Sequence, residues 1–255
     1  MFEAKVFINQ REGGEYYLLG LRVSENLAKK FLPGQFLKIR VSSTLDPLFP
    51  RPFTIHAIEG SKLYLLYRVV GKGTQILSKI LPEEELKILG PLGKPFPEIK
   101  EPYIICAGGA GIAGFGYLLQ KTSHLPLKIF YGVRTKEELV RVNFYEKFHV
   151  SLTLVTEDGS YGTKGLVTEA LEEELENKFK KYKPCLLACG PLPMLKSVLK
   201  VAKKYQLKTF LVLETFLACG TGFCRGCVIP LRKGGYTHLC IEGPTFLAEE
   251  LDLER

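Results

Sequence analysis

The sequence predicts a β plus α/β protein with an N-terminal antiparallel β-barrel, a doubly wound parallel-sheet domain and a small C-terminal cysteine-rich domain. Three observations carry this. Short alternating apolar runs divided by turns extend to about Pro97. From Pro102 apolar strands alternate with amphipathic helical stretches. After Glu214 the chain turns rich in Cys and Gly and holds four of its seven cysteines. The expected limits are 1–98, 99–213 and 214–255.

In the first segment, "AKVFINQ", "YYLLGLRV", "FLKIRV", "FTIHAIEG" and "KLYLLYRVV" are rich in β-branched and aromatic residues and separated by "EGG", "PGQ" and "EGSK". Regularly spaced short strands of this kind make a barrel or sandwich. In the second, "YIICAGG" enters a glycine turn and a helix over 112–121. The strands "LKIFYGV" and "SLTLVT", the helix "GLVTEALEEELENKF", the strand "CLLACG", the helix "MLKSVLKVAKKYQ" and the strand "KTFLVLE" follow. Such alternation builds a parallel sheet covered on both faces. The third segment is too small to build a core alone and calls for a metal centre to hold its shape.

Composition narrows the function classes. With 46% hydrophobic and 24% charged residues the chain is of ordinary globular type, not disordered. The start "MFEAKVFINQ" lacks the apolar stretch and cleavage site of a signal peptide, and the run Pro102–Gln120 is interrupted by glycines. A cytoplasmic protein without a membrane span is expected. The net charge of +8 is scattered along stretches such as "KSVLKVAKKYQLK", which read as a solvated face and not as a nucleic-acid patch. An acidic docking partner remains compatible with it.

The cysteines follow C-x4-C-x2-C-x12-C over Cys219, Cys224, Cys227 and Cys240. Disulfides rarely persist in the cytoplasm. Zinc ribbons carry two C-x2-C pairs, and here only Cys224 and Cys227 have that spacing. The four-residue gap with two glycines followed by a distant cysteine is the plant-type [2Fe-2S] spacing. Cys106, Cys185 and Cys189 lie on apolar strands and read as buried small hydrophobes.

Gly108, Gly109 and Gly111 in "CAGGAGIAG" sit between a strand and a helix, where a backbone approaches a pyrophosphate. "ACGPLPM" follows a later strand at the same edge, so both turns are expected to face one crevice. "RPFTI" (Arg51 to Ile55) offers a phosphate-pairing arginine, an aromatic and a hydroxyl. "YRVVGKGTQIL" repeats these elements. From chemistry alone, an ordinary barrel with hairpin turns is the favoured explanation of both.

Taken in order, the segments resemble the electron-transfer subunits of NAD-dependent dihydroorotate dehydrogenases, within the ferredoxin–NADP reductase superfamily. "PGQF", "RPFT" and "GKGT" match its FAD barrel. "GGAGIA", "TEDGSYGTKGLVT" and "CGPLPM" match its nicotinamide domain, and "ETFLACGTGFCRGC" with Cys240 matches its cluster domain. The resemblance implies that Arg51 meets the FAD phosphates, with Pro52, Phe53 and Thr54 beside the flavin. Leu66, Tyr67 and Arg68 line the same site, and Gly73 and Thr74 hold its pyrophosphate. Gly108, Gly109, Gly111, Cys189 and Gly190 border NAD, and Cys219, Cys224, Cys227 and Cys240 ligate the cluster. Ala113 replaces a proline common in the family, and Phe53 an aliphatic residue.

The implied activity is a relay. Dihydroorotate is oxidised at FMN on a separate catalytic subunit, in a heterotetramer of two of each chain. Electrons then pass through the [2Fe-2S] cluster and FAD to NAD+, in pyrimidine biosynthesis. The chain would carry no acid–base residue of its own, and His56, His124, His149 and His238 read as structural or solvent-exposed. Glu214 either lies near the flavin or serves a plain surface role. Arg134 either meets a 2′-phosphate or makes a salt bridge. The alternatives are the same module in an NAD(P)H–ferredoxin oxidoreductase or sulfide dehydrogenase complex, and a zinc-stabilised nucleotide-binding regulator without redox activity.

Overall fold

The structure is a computed structural model that describes residues 1–122, 126–178 and 183–253. His124 and Phe179, the last residue of one expected helix, lie outside the described residues. The first half contains β1 (Phe2–Gly13), β2 (Tyr16–Arg22), α1 (Glu25–Ala28), β3 (Phe36–Arg40), β4 (Arg51–Thr54), β5 (Ala57–Glu59), β6 (Lys62–Arg68), α2 (Lys72–Leu77) and β7 (Glu85–Leu92). These strands form one antiparallel sheet in the order β4-β3-β7-β1-β2-β6-β5. Alternation rolls it around a core: Leu63, Leu65 and Tyr67 of β6 point inward with Leu19, Leu21, Leu37, Ile39, Phe53 and Ile88. Distant members of the strand order meet, with the rings of Phe53 on β4 and Tyr67 on β6 5.7 Å apart.

The sequence treated "FTIHAIEG" as one strand, whereas β4 and β5 are separate. Register explains the break: β4 pairs with β3 and β5 with β6, at opposite ends of the sheet. β7, from "ELKILGPL", was not anticipated as a strand, although its first four residues alternate between exposed and buried.

The second half contains β8 (Tyr103–Gly108), α3 (Ala113–Lys121), β9 (Lys128–Val133), α4 (Val142–Glu146), β10 (Leu152–Thr156), β11 (Thr163–Lys164), α5 (Val167–Lys178), β12 (Cys185–Cys189), α6 (Leu192–Tyr205) and β13 (Thr209–Val212). β14 (Val228–Pro230), β15 (Tyr236–His238), α7 (Leu239–Glu242) and β16 (Thr245–Leu247) follow. The second sheet runs β11-β10-β9-β8-β12-β13-β16, parallel except for β16. The order reverses direction between β8 and β12, the place where sheets of this kind bind ligands.

Both faces of this sheet are covered. Ile104 and Cys106 of β8 pack with Leu171, Leu175, Leu195 and Val198 of α5 and α6. Ile105 and Ala107 pack on the opposite face with Phe115, Leu119 and Tyr145. Each such Leu or Ile stabilises the fold by about 1.5–3 kcal/mol. α3 also presses against the barrel, where a Cβ on Gly116 would come within 2.5 Å of the His56 carbonyl.

The C-terminal segment borrows its core. Cys227, Ile229, Leu239, Cys240 and Phe246 join the cluster that contains Phe36, Leu186 and Leu211. β16 adds itself antiparallel to β13, Phe210 opposite Leu247.

Candidate functional site

The two glycine turns end β8 and β12, the two strands at the reversal, and they touch. A Cβ on Gly111 would collide with the Cys189 carbonyl, and one on Gly190 would lie 3.1 Å from the Gly108 nitrogen. The single crevice expected from sequence is therefore present. It opens into a cleft of about 290 Å³ whose lining includes Gly108, Gly109, Pro191 and Met194, with Tyr16 and Arg68 from the barrel. That volume is close to the lower end of small-ligand pockets, about 300 Å³.

Two buried polar atoms here complete no hydrogen bond within the protein: Tyr16 Oη and Arg68 Nε. Buried polar atoms ordinarily find a partner, so this pair fits a polar ligand such as a nucleotide. Tyr16 is fully buried, and burial, reinforced by nearby Glu138, raises its phenol above the usual range. Glu138 lies at the cleft wall and takes hydrogen bonds from Arg134, whose Nε is 3.2 Å from Oε1, and from Arg68 at 3.4 Å. Burial alone would raise its pKa, but Arg134 and Arg68 outweigh it and hold the carboxyl low. Arg134 thus makes the salt bridge that was one of its two expected roles.

A second cavity of about 180 Å³ runs between the barrel and the C-terminal segment. Phe36, Pro52, Phe53, Thr54, Cys189, Val212, Glu214, Thr215 and Leu217 are among its lining residues. It brings "RPFT", the second glycine turn and the approach to the cysteine loop to one place. Glu214 lines this cavity and is itself exposed, while desolvation by the protein around it raises the carboxyl. Gly73 abuts Arg51, since a Cβ there would meet Arg51 Nε at 2.5 Å. Arg51 Nη1 donates to the Phe49 carbonyl at 3.0 Å. The Thr74 hydroxyl closes its own turn, accepting from the Val70 and Gly71 N–H groups. Leu66 faces the parallel sheet, whereas Tyr67 points into the barrel and donates to Asn9 Oδ1 at 3.0 Å.

The cysteine loop is shaped by left-handed residues: Gly220, Gly222 and Arg225 all have positive φ. The turns aim backbone N–H groups at sulfur. Thr221 and Cys224 donate to Cys219 Sγ at 3.4 Å, Gly222 to Cys240 Sγ at 3.2 Å, and Cys240 to Cys227 Sγ at 3.4 Å. Burial would push the Cys219 thiol up, but the hydrogen bonds from Cys224 and Thr221 pull it to about 6. Cys227 and Cys240 are buried with sulfurs 3.2 Å apart, and Cys224 is exposed. Among the described residues no three His, Cys, Asp or Glu side chains gather as they would around a single ion. The donor chemistry, four cysteines with amides turned onto three of the sulfurs, fits a thiolate-held cluster.

Cys106, Cys185 and Cys189 are buried, as expected, and burial pushes their thiols up, Cys106 to about 12 and Cys185 to about 11. Cys189 also lines the second cavity. His56 is buried between the barrel and α3, its Nδ1 3.1 Å from the Ala113 carbonyl, and burial lowers its pKa to about 3. His149 is exposed and His238 half-buried. Sequence reasoning missed Tyr16, Glu138 and Lys38, because their positions depend on how barrel and sheet dock.

Solved structures place the fold in a known class. A structure described as NADH-dependent reduced ferredoxin-NADP oxidoreductase covers 100% of this chain and 91% of its own, at TM-score 0.87 and 25% identity. Ferredoxin-NADP+ reductase from Plasmodium falciparum covers 80% and 90%, at TM-score 0.66 and 17% identity. The protein is an oxidoreductase subunit of ferredoxin reductase-like fold. Residues 214–252 match the iron-sulfur cluster binding domain of dihydroorotate dehydrogenase B. The chain is 39% identical over 98% of both lengths to the dihydroorotate dehydrogenase B (NAD(+)) electron transfer subunit homolog of Aquifex aeolicus. It is 36% identical to the electron transfer subunit of Caldanaerobacter subterraneus, over 98% of this chain and 97% of that one. The chain belongs to the family of dihydroorotate dehydrogenase B electron transfer subunits, and its cofactors are FAD, a [2Fe-2S] cluster and NAD. Among the described residues no helix is long and apolar enough to cross a membrane.

Proposed function

We propose that this chain carries electrons from a dihydroorotate-oxidising, FMN-containing catalytic subunit to NAD+. The observation that carries the reading is the meeting of "RPFT", Cys189 of the second glycine turn and the approach to the cysteine loop around one cavity, with the cleft beside the paired glycine turns formed by the same two turns. When bound, FAD supplies the exchange between hydride and single-electron transfer, and the cluster supplies one-electron transfer.

The chain's own residues bind and orient. Arg51 and the Gly73 turn would hold the FAD phosphates, with Pro52, Phe53 and Thr54 shaping the flavin site, whereas the Leu66 and Tyr67 side chains, expected there too, are turned into the two cores. Gly108, Gly109, Gly111, Cys189 and Gly190 would border the nicotinamide nucleotide, and Tyr16 Oη with the Nε of Arg68, a residue expected beside the flavin that lines this cleft instead, would face it. Cys219, Cys224, Cys227 and Cys240 would ligate the cluster. The limits 1–98, 99–213 and 214–255, a cytoplasmic location and a heterotetramer of two of each subunit belong to this reading.

A second reading, a ferredoxin–NADP oxidoreductase partner for the same module, is favoured by the full-length structural match. Anaerobic affinity purification with each candidate partner decides between them. Recovery of a complex that reduces NAD+ with dihydroorotate supports the first reading. A complex active with ferredoxin and inert with dihydroorotate overturns it.

A further inference from the structure

Lys38 belongs to none of the motifs above, yet it lies between two of them. It sits on β3, opposite Pro52 of "RPFT" in the register of β3 with β4. Its residue is 1% exposed, and its ammonium donates to the carbonyls of Leu217, at 3.1 Å, and Ala218. Those carbonyls immediately precede Cys219. The stem lies against the next turn, where a Cβ on Gly220 would come within 2.7 Å of Lys38 Cδ.

A lysine this buried is rare unless paired. Among the described residues no carboxylate forms a salt bridge with it. Burial disfavours its charge, and the groups that favour it are Cys219, Cys224 and Cys240. A buried cation is retained when an anion compensates its lost hydration. Among the described residues the only anionic groups that favour the charge here are those cysteines, set against burial and the nearby Arg51.

We propose that Lys38 is a positioning residue for the cluster, tying the cysteine loop to the FAD barrel and favouring the reduced cluster through its positive charge. The inference rests on the cofactor reading above. One-electron reduction adds a negative charge to the four-thiolate site, with no bond broken and no proton taken. A neighbouring cation therefore stabilises the reduced form more than the oxidised one.

The test compares full-length wild type with Lys38→Met, Lys38→Gln and Lys38→Arg. Iron content is measured in each, and the cluster's midpoint is followed by paramagnetic resonance during anaerobic titration with dithionite. The exposed Lys87→Met variant is the control. Met and Gln should disfavour reduction at least about tenfold, about 59 mV for one electron. Arg should stay near wild type. Loss of iron in Met and Gln with retention in Arg also supports the role of the charge. An unchanged midpoint in Met and Gln, or equal loss of iron in all three variants, overturns the inference. Wild type that takes up no iron sinks the cofactor reading beneath it.

Discussion

Gly111 leaves no room for a side chain, because the Cys189 carbonyl occupies the place of its Cβ. Gly111→Ala must push the two turns apart, at a cost of about 1–3 kcal/mol for overpacking. Denaturant unfolding should show that loss, and NADH titration should show affinity falling at least about tenfold. Unchanged NADH binding would place the nucleotide elsewhere. His56 gives a prediction in pH. Its folded pKa of about 3 lies below the ordinary 6.5, so the unfolded chain binds more protons between those values. Its contribution to stability is complete above about pH 6.5 and is lost as pH falls toward 3, by up to about 1.4 kcal/mol per unit. His56→Gln should flatten the stability profile over that window, and an unaltered slope would contradict the assignment. At this scale the cysteine spacing and the glycine turns were legible from sequence, because each is local chemistry repeated within a few residues. Tyr16, Lys38 and Glu138 were not, since nothing in "EYYLLG", "FLKIR" or "TKEEL" marks which polar group the tertiary fold will bury.

Strands and helices differed in how far their patterns reached. The parallel sheet was readable because β8, β9 and β12 are apolar on both faces and each meets a helix or turn. The split of β4 from β5 was not, because it follows from which neighbours those strands pair with. The joining of β16 to β13 was equally hidden, three residues being too few to carry a period. That short strand makes a strong prediction. Phe246 is 7% exposed and packs on Gly243 and in the core that contains Cys227 and Cys240. Phe246→Ala should cost about 3–5 kcal/mol. Iron content after anaerobic purification should fall with it, because the same core seats two of the cysteines. Full iron retention in a destabilised variant would show that the cysteine loop holds its shape independently.

At the scale of the whole molecule, the barrel and the parallel sheet dock through α3 and His56, and the cysteine segment closes over both. This juxtaposition turns three separately weak motifs into one route from cysteines to nucleotide. Neither glycine turn nor "RPFT" alone distinguishes an electron carrier from an ordinary barrel and sheet. The order of segments made the class recognisable, while only the docked structure shows "RPFT", Cys189 and the approach to the cysteine loop lining one cavity. The direct measurement is an anaerobic titration of the full-length chain with NADH, followed by visible absorption and paramagnetic resonance. The account predicts flavin bands that bleach on NADH addition, the signal of a reduced cluster, and about two irons per chain. A colourless chain holding zinc, which takes up neither FAD nor iron and sulfide on reconstitution, would contradict it.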